Sequence, residues 1–285
     1  MSRAKRWRRR GPFYDVEFVR SLARRLVIAA LRACGLEAVR LPGAERHLLV
    51  MSLHTRRAVG GDLLLFEHLA WLLARYRVDT VLDVGANAGQ FGGELRRSGY
   101  RGRILSFEPI PASHERLRRA AAGDPTWTTH AWALGRKNGE AELNVTRHDV
   151  FSSFHPPATY AADRFGEATA VARRERVTVR RLDGALDELL GPASRARCLL
   201  KMDTQGYDLE VFDGLGRWGD RVVALQSEVT AIALYEGAPR LTESIARYEA
   251  AGFEVTGLFP VSRDEATGRV IEFDCVMVRA AALPR

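Results

Sequence analysis

Apolar residues along this chain gather in short β-branched runs that alternate with stretches of helical spacing, the pattern of an α/β domain. Thr80-Val81-Leu82-Asp83-Val84 is one such run; it breaks into glycines and then into a helical pattern, which predicts the first strand, turn and helix of a βαβ unit. A second run, Ile104-Leu105-Ser106-Phe107, predicts a strand ending at Glu108. Ahead of both, residues 62–76 predict a strongly apolar helix in which His68 and Trp71 read as packing residues. A helix starting near Ser113 presents Leu117 and Ala121 and is ended by Asp124-Pro125. A third strand is predicted over residues 127–133, and Lys137-Asn138-Gly139 reads as a hairpin turn into the alternating Ala141, Leu143 and Val145.

From residue 146 to 176 the periodicity fades into a polar loop, a length that in a compact domain is usually functional or mobile. Val177, Val179 and Arg181 then alternate with Thr178 and Arg180, and Asp183 is placed to cap a helix whose apolar face is Leu186, Leu189 and Leu190. Residues 198–202 predict a fourth strand ending at Asp203, and residues 221–227 a fifth that delivers Glu228 to the same edge. Thr242 is expected to cap a helix over 243–251, and residues 253–259 and 271–278 to form a closing pair of strands.

Chemistry collects at strand C-termini in open α/β sheets, so Gly85, Glu108, Asp203, Gln205 and Tyr207 are expected at one mouth. Gly85 and Gly89 allow a sharp turn and close approach to a ligand, and an acid at the second strand tip can accept the hydroxyl hydrogens of a ribose. The spacing Gly85-x-x-x-Gly89-x-x-Gly92 is not the G-x-G-x-x-G of dinucleotide sites, which seat a pyrophosphate. A short-chain dehydrogenase needs Tyr-x-x-x-Lys, but the residues four before Lys137 and Lys201 are Ala133 and Arg197. S-adenosylmethionine, which carries no phosphate, fits the pattern. Its expected contacts are Asp83, Gly85, Asn87, Gly89 and Glu108, with Ala133 and Leu134 against the adenine.

Charge divides the chain. Residues 1–60 hold fourteen Lys and Arg against four Asp and Glu, while the remainder holds twenty-nine against thirty-one. A nucleic-acid enzyme would spread basic residues around its catalytic mouth, so this near-neutral core disfavours a nucleic-acid partner. The basic excess opens with Arg3, Lys5, Arg6, Arg8, Arg9 and Arg10, and apolar residues from Val16 to Cys34 then recur at helical spacing. This predicts a basic helical arm over residues 1–60 ahead of a catalytic domain over 61–285. The arm either docks on the core or makes peripheral contact with an anionic membrane surface. Its charges interrupt it too often for a membrane span. Cys34, Cys198 and Cys275 form no CxxC pair and read as core residues of a reducing, cytoplasmic protein, with the arm at most touching the inner face of the membrane.

DVGANAGQF, SFEP, AWALG, Phe151-Ser152-Ser153-Phe154, Arg181-Leu182-Asp183, KMDTQGY, Gln226-Ser227-Glu228-Val229 and Leu234-Tyr235-Glu236-Gly237 follow one another in an order that resembles the FkbM family of S-adenosylmethionine-dependent methyltransferases. The resemblance covers about residues 79 to 279. It implies a class I, Rossmann-like fold: a seven-stranded, mostly parallel sheet with helices on both faces. It also implies O-methylation of a sugar, glycolipid or natural-product scaffold, a small-molecule or glycan acceptor. The family often has Glu where this chain has Asp208, which keeps the charge.

Such a transfer needs the acceptor oxygen aligned with the methyl group and one proton removed. Asp203, Glu228 and His155 are the candidate proton acceptors, with residues 151–155 as a lid on the acceptor side. No metal is expected, because Asp208, Glu210 and Asp213 fall on different helix faces. The proline pair of His155-Pro156-Pro157 lacks the following aromatic residue of DNA aminomethyltransferases and lies before the strand where that motif belongs, and there is no Pro-Cys pair, so base methylation is disfavoured. A cofactor-binding partner protein without transfer activity and an RNA ribose methyltransferase are the alternatives.

Overall fold

The computed structural model describes residues 36–40, 48–52 and 56–282, with side chains from Leu64 onward. The predicted helix behind the basic tail, and Cys34 with it, lie outside the described residues. The chain divides into two compact units, residues 1–60 and 61–285. In the first, strands β1 (Leu36–Arg40) and β2 (Leu48–Ser52) pair antiparallel with Leu36 opposite Ser52, a hairpin that the helical reading of the arm did not foresee.

The second unit is built on seven strands: β3 (Thr80–Val84), β4 (Arg103–Phe107), β5 (Trp127–His130), β9 (Cys198–Met202), β10 (Val222–Thr230), β11 (Phe253–Arg263) and β12 (Val270–Arg279). Their order across the sheet is β11-β12-β10-β9-β3-β4-β5, with β12 antiparallel to both of its neighbours and the rest parallel. This is the class I methyltransferase arrangement. Strands β3 and β9 are buried at every position, as parallel strands covered on both faces must be.

Successive residues of these strands face opposite layers. Val81, Ile104 and Leu199 pack on Leu69 and Leu72 of helix α1 (Arg56–Arg75), Phe91 and Leu95 of α2 (Gln90–Arg97) and Leu117 of α3 (Pro111–Ala120). Leu82, Leu105 and Leu200 pack on the other face with helices α5 (Leu182–Leu190), α6 (Asp208–Asp213) and α7 (Leu241–Ala250), which supply Leu186, Phe212 and Tyr248. Cys198 and Cys275 are free thiols inside this second layer. No helix among the described residues is long and apolar enough to cross a membrane.

Three expectations need correction. The third strand stops at His130, and Ala133 begins β6 (Ala133–Gly135) in a separate three-stranded sheet. That sheet is ordered β6-β8-β7, so Lys137-Asn138 does not turn one strand onto its neighbour: β8 (Val171–Arg181) lies between β6 and β7 (Gly139–Thr146). The stretch that looked like loop holds helix α4 (Thr159–Phe165) and the first half of β8, where residues 171–176 are exposed or half-exposed on both faces and so carry no apolar alternation. Arg174 and Arg176 reach Glu142 and Glu140 of β7 at 3.8 and 3.9 Å, cross-strand pairs that favour this register. The caps also differ. Arg240 precedes α7, its N–H donating to Glu243 at 2.8 Å, and Thr242 is inside the helix. Arg181 precedes α5, with Asp183 in the first turn accepting from the Gly184 N–H at 2.7 Å.

Gly85, at φ 74°, is required by the fold itself: a Cβ there would lie 1.9 Å from the carbonyl oxygen of Asp203. The tips of β3 and β9 can meet only because that atom is missing. Gly85→Ala is therefore expected to cost at least about 2 kcal/mol of stability, combining left-handed strain with a backbone clash. A urea midpoint equal to that of the parent chain would contradict it.

Candidate active site

The C-terminal ends of β3, β4, β9 and β10 open into a cavity of about 670 Å³. Gly85, Asn87, Glu108, Ala133 and Leu134 line one side of it, and Asp203 and Glu228 line another part. Asp83, Gly89 and His155 do not line it. Asp83 is wholly buried beneath the turn. Gly89 faces Leu117, Ala120 and Trp127 rather than a ligand. His155 stands behind Tyr207, ring centroids 6.2 Å apart, its N–H held by the Ser153 hydroxyl at 3.0 Å.

Glu108 is buried at the tip of β4, and each carboxylate oxygen already accepts one backbone N–H: Asn87 at 2.9 Å and Ile110 at 2.8 Å. These bonds fix its plane, and each oxygen keeps a lone pair for a hydroxyl donor. Burial pushes its pKa up to about 7, against the pull of the two N–H bonds. Trp132 and Phe107 add an aromatic wall that the sequence did not announce. Phe107, His130 and Trp132 stack in succession, with centroids 5.2 and 4.9 Å apart, and the Arg180 guanidinium covers Trp132 at 4.1 Å.

Beneath the turn, a buried polar chain crosses four adjacent strands. The Trp127 indole N–H donates to the Ser106 hydroxyl at 2.9 Å, which donates to Asp83 Oδ2 at 2.9 Å. Asp83 Oδ1 lies 3.3 Å from the Lys201 ammonium, an ionic contact without hydrogen-bond alignment. Lys201, 5% exposed, also donates to the Gly85 carbonyl at 3.0 Å and reaches Asp203 at 3.4 Å. Burial alone would lower its pKa; Asp203 and Asp83 outweigh that and raise it, so it stays charged. Lys201 therefore pairs with Asp83 and Asp203. A lone lysine in the apolar run Cys198-Leu199-Leu200-Lys201-Met202 was the signal available for it.

Glu228 is held by Gln205 instead. The Gln205 amide donates to Asp203 Oδ1 at 2.9 Å and to Glu228 Oε2 at 2.5 Å, joining the two candidate acids. Gln205 adopts φ 54° and is fastened by the Tyr235 hydroxyl, which donates to its side-chain oxygen at 2.5 Å, and by Ser153, which donates to its carbonyl at 2.6 Å. Phe151 and Phe154 of the same segment line the cavity, and Asp149 ties its start to Ser113 at 2.9 Å. Burial, with Glu272 and Asp203 close by, drives the Glu228 pKa well upward. Asp208 is buried in the adjoining turn, accepting from the Thr204 N–H at 2.9 Å and Ser227 at 2.7 Å, while Glu210 and Asp213 pair outward with Arg136 and Arg247.

A mostly parallel sheet of this order, with β12 antiparallel, a glycine turn at its first tip and a buried carboxylate at its second, is a class I methyltransferase domain. Residues 83–255 match the methyltransferase FkbM domain, and the chain belongs to that family. It is 30% identical over 161 residues to the AMB antimetabolite synthetase AmbE of Pseudomonas aeruginosa, which is 47% of this chain and 8% of that protein. It is 26% identical over 152 residues to Methyltransferase 1 of Beauveria bassiana, 47% of this chain and 57% of that protein. The chain thus spans less than two thirds of the length of either relative. Similar solved structures include a putative methyltransferase from Thermobifida fusca (TM-score 0.45, 12% identity, 78% of this chain and 81% of that one). Another is the magnesium protoporphyrin IX methyltransferase ChlM of Synechocystis with bound SAM (TM-score 0.43, 10% identity, 77% and 80%).

The raised pKa of Glu108 has a stability consequence with a definite sign. The folded chain holds the proton up to about pH 7 and the unfolded chain only to its ordinary 4.5, so the fold binds more protons between those values. Stability contributed by the protonated carboxyl is full below the lower value and is lost as pH rises through the window. Without ligand, the protein should lose on the order of 3 kcal/mol of this contribution across it. Thermal unfolding of the parent and of Glu108→Gln across that range checks this: the variant should show the flatter dependence.

Proposed function

We propose that this chain transfers the methyl group of S-adenosylmethionine to a hydroxyl oxygen of a sugar, glycolipid or natural-product scaffold. The observation that carries the reading is one cavity walled by Asn87 and Glu108 in one part and by Asp203 and Glu228 in another. The residues suit the cofactor. Glu108 is fixed by two N–H bonds yet keeps acceptor capacity for the ribose hydroxyls, Ala133, Leu134 and Trp132 offer an apolar wall to the adenine, and about 670 Å³ is within the range of small-molecule sites. When bound, the cofactor supplies a methyl group made electrophilic by its sulfonium.

The chain's own part is orientation and proton removal. Asp203 keeps 38% of its side chain exposed to the cavity, with Lys201 on one oxygen and Gln205 on the other. These contacts leave it aimed into the cavity, where it can take a hydroxyl proton. Glu228, biased toward its protonated form by burial and neighbouring acids, is the poorer acceptor and helps to position. Phe151, Phe154 and Tyr207 flank the acceptor side and shield the reacting oxygen from water.

Two measurements test this. Glu108→Ala should weaken cofactor binding by roughly 1.5 to 3 kcal/mol in calorimetry, the value of hydrogen bonds to a charged group; unchanged affinity in a folded variant would contradict it. Asp203→Asn should keep cofactor affinity within a few-fold and slow transfer at least about tenfold, as loss of a general base does. A normal rate would move the role to Glu228.

A further inference from the structure

The cavity has a polar floor and apolar sides. On the floor, Asp203 and Glu228 stand at the strand tips with the Gln205 amide bonded to both. Around it, apolar side chains arrive from several separate elements. Leu65 and Phe66 come from α1 and Phe91 from α2, with the Phe66 and Phe91 rings 5.6 Å apart. Phe165 of α4 lies against Phe151, ring centroids 5.0 Å apart, and Val261 comes from β11. Arg164 of α4 reaches the Arg263 carbonyl at 3.5 Å, which brings the end of that helix to the end of β11.

Two of the apolar lining residues stand in water. Val150 is 48% exposed and Val261 45%, although both line the cavity. Covering such a side chain with an apolar group is favourable in proportion to the area removed from water. Other large apolar residues exposed among the described residues, Trp71 and Leu258 for example, do not line this cavity. The valines therefore extend a concave apolar surface that begins inside the site.

The cofactor does not account for that surface. Its base wall is Ala133, Leu134 and Trp132, and its ribose acid is Glu108 on β4. Val261 lies on the outer strand β11, five strand steps from β4, on the order of 24 Å at the spacing of paired strands. A bare sugar does not account for it either. Its hydroxyls suit the acids on the floor, and its size leaves Val150 and Val261 uncovered.

Resting on the methyltransferase reading, we propose that the acceptor is an amphiphile: a hydroxyl-bearing head that reaches Asp203, and an alkyl or acyl chain that leaves the cavity over Val150 and Val261. Each half of the cavity fits its part. Asp203, 38% exposed, offers an acceptor oxygen to the hydroxyl of the head. Phe66, Phe91 and Phe165 give the chain apolar surface within the site, and the two valines carry that surface outward. The attraction is non-directional, so it ranks acceptors by the apolar area they bring. Each methylene covered is worth about fourfold in affinity.

The test uses the full chain saturated with S-adenosylhomocysteine and titrated calorimetrically with methyl glucoside and with octyl glucoside kept below its micelle-forming concentration. Octyl glucoside should bind at least about tenfold more tightly, the effect of a few covered methylenes. Val261→Asp, or Val150→Asp should the first variant fail to fold, should remove most of that preference. Leu258→Asp, on the same strand and outside the cavity, should keep it. Equal affinities, no binding of octyl glucoside by protein that holds S-adenosylhomocysteine, a preference that survives the valine substitution, or one lost equally in Leu258→Asp would overturn the proposal and leave the methyltransferase reading standing. Failure to bind S-adenosylhomocysteine would remove that reading and this one with it.

Discussion

The site depends on one buried ammonium. Lys201 sits between Asp83 and Asp203 and caps the Gly85 carbonyl, so the tips of β3 and β9 are held by charge at the point where a missing Cβ lets them touch. Taking such an ion out of water is costly, and removing one partner of a buried pair commonly destabilises by about 3 to 5 kcal/mol. Here Asp83 is also bonded through Ser106 to the Trp127 indole, so four neighbouring strands contribute to one connected polar network. Trp127 in turn fills the space left by Gly92, where a Cβ would fall 2.3 Å from its ring. The helix that follows the glycine turn is seated by the residue that closes the polar chain.

From that network the two parts of the cavity acquire opposite characters. Toward β4, backbone N–H groups and aromatic rings surround the Glu108 carboxylate, an environment suited to a ribose and a flat base. Toward β12, the carboxyl groups of Asp203, Glu228, Glu272 and Asp274 gather at the cavity wall. Asp203 stands at the boundary, the acid with a cation on one oxygen and an amide on the other.

Much of this was legible in the sequence where the determinants are local. The run from Thr80 to Val84, its glycines and the acid ending the next strand lie within thirty residues, and Gly85, Asn87 and Glu108 do meet at one wall. Asp203 and Glu228 were readable because both end apolar runs. What escaped notice depends on distant pairing: Asp83 and Lys201 are 118 positions apart. Glu272 and Asp274 reach the cavity only through the antiparallel register of β12, which hydrophobic pattern does not specify so far along the chain. The break between β5 and β6 is two residues long, too short for composition to mark. Gly89 and Asp83 resemble ligand contacts by position, yet their partners are Leu117, Trp127, Ser106 and Lys201.

Gln205 links the segment around Ser153 to the two candidate acids. Its side chain spans the two acids, its own oxygen takes the Tyr235 hydroxyl, and that hydroxyl also lies 3.2 Å from the Phe151 carbonyl. Ser153 fastens the other end of the segment to the Gln205 backbone. The position of Phe151 at the cavity wall and the alignment of Asp203 with Glu228 thus rest on one shared set of hydrogen bonds, with Gln205 at its centre.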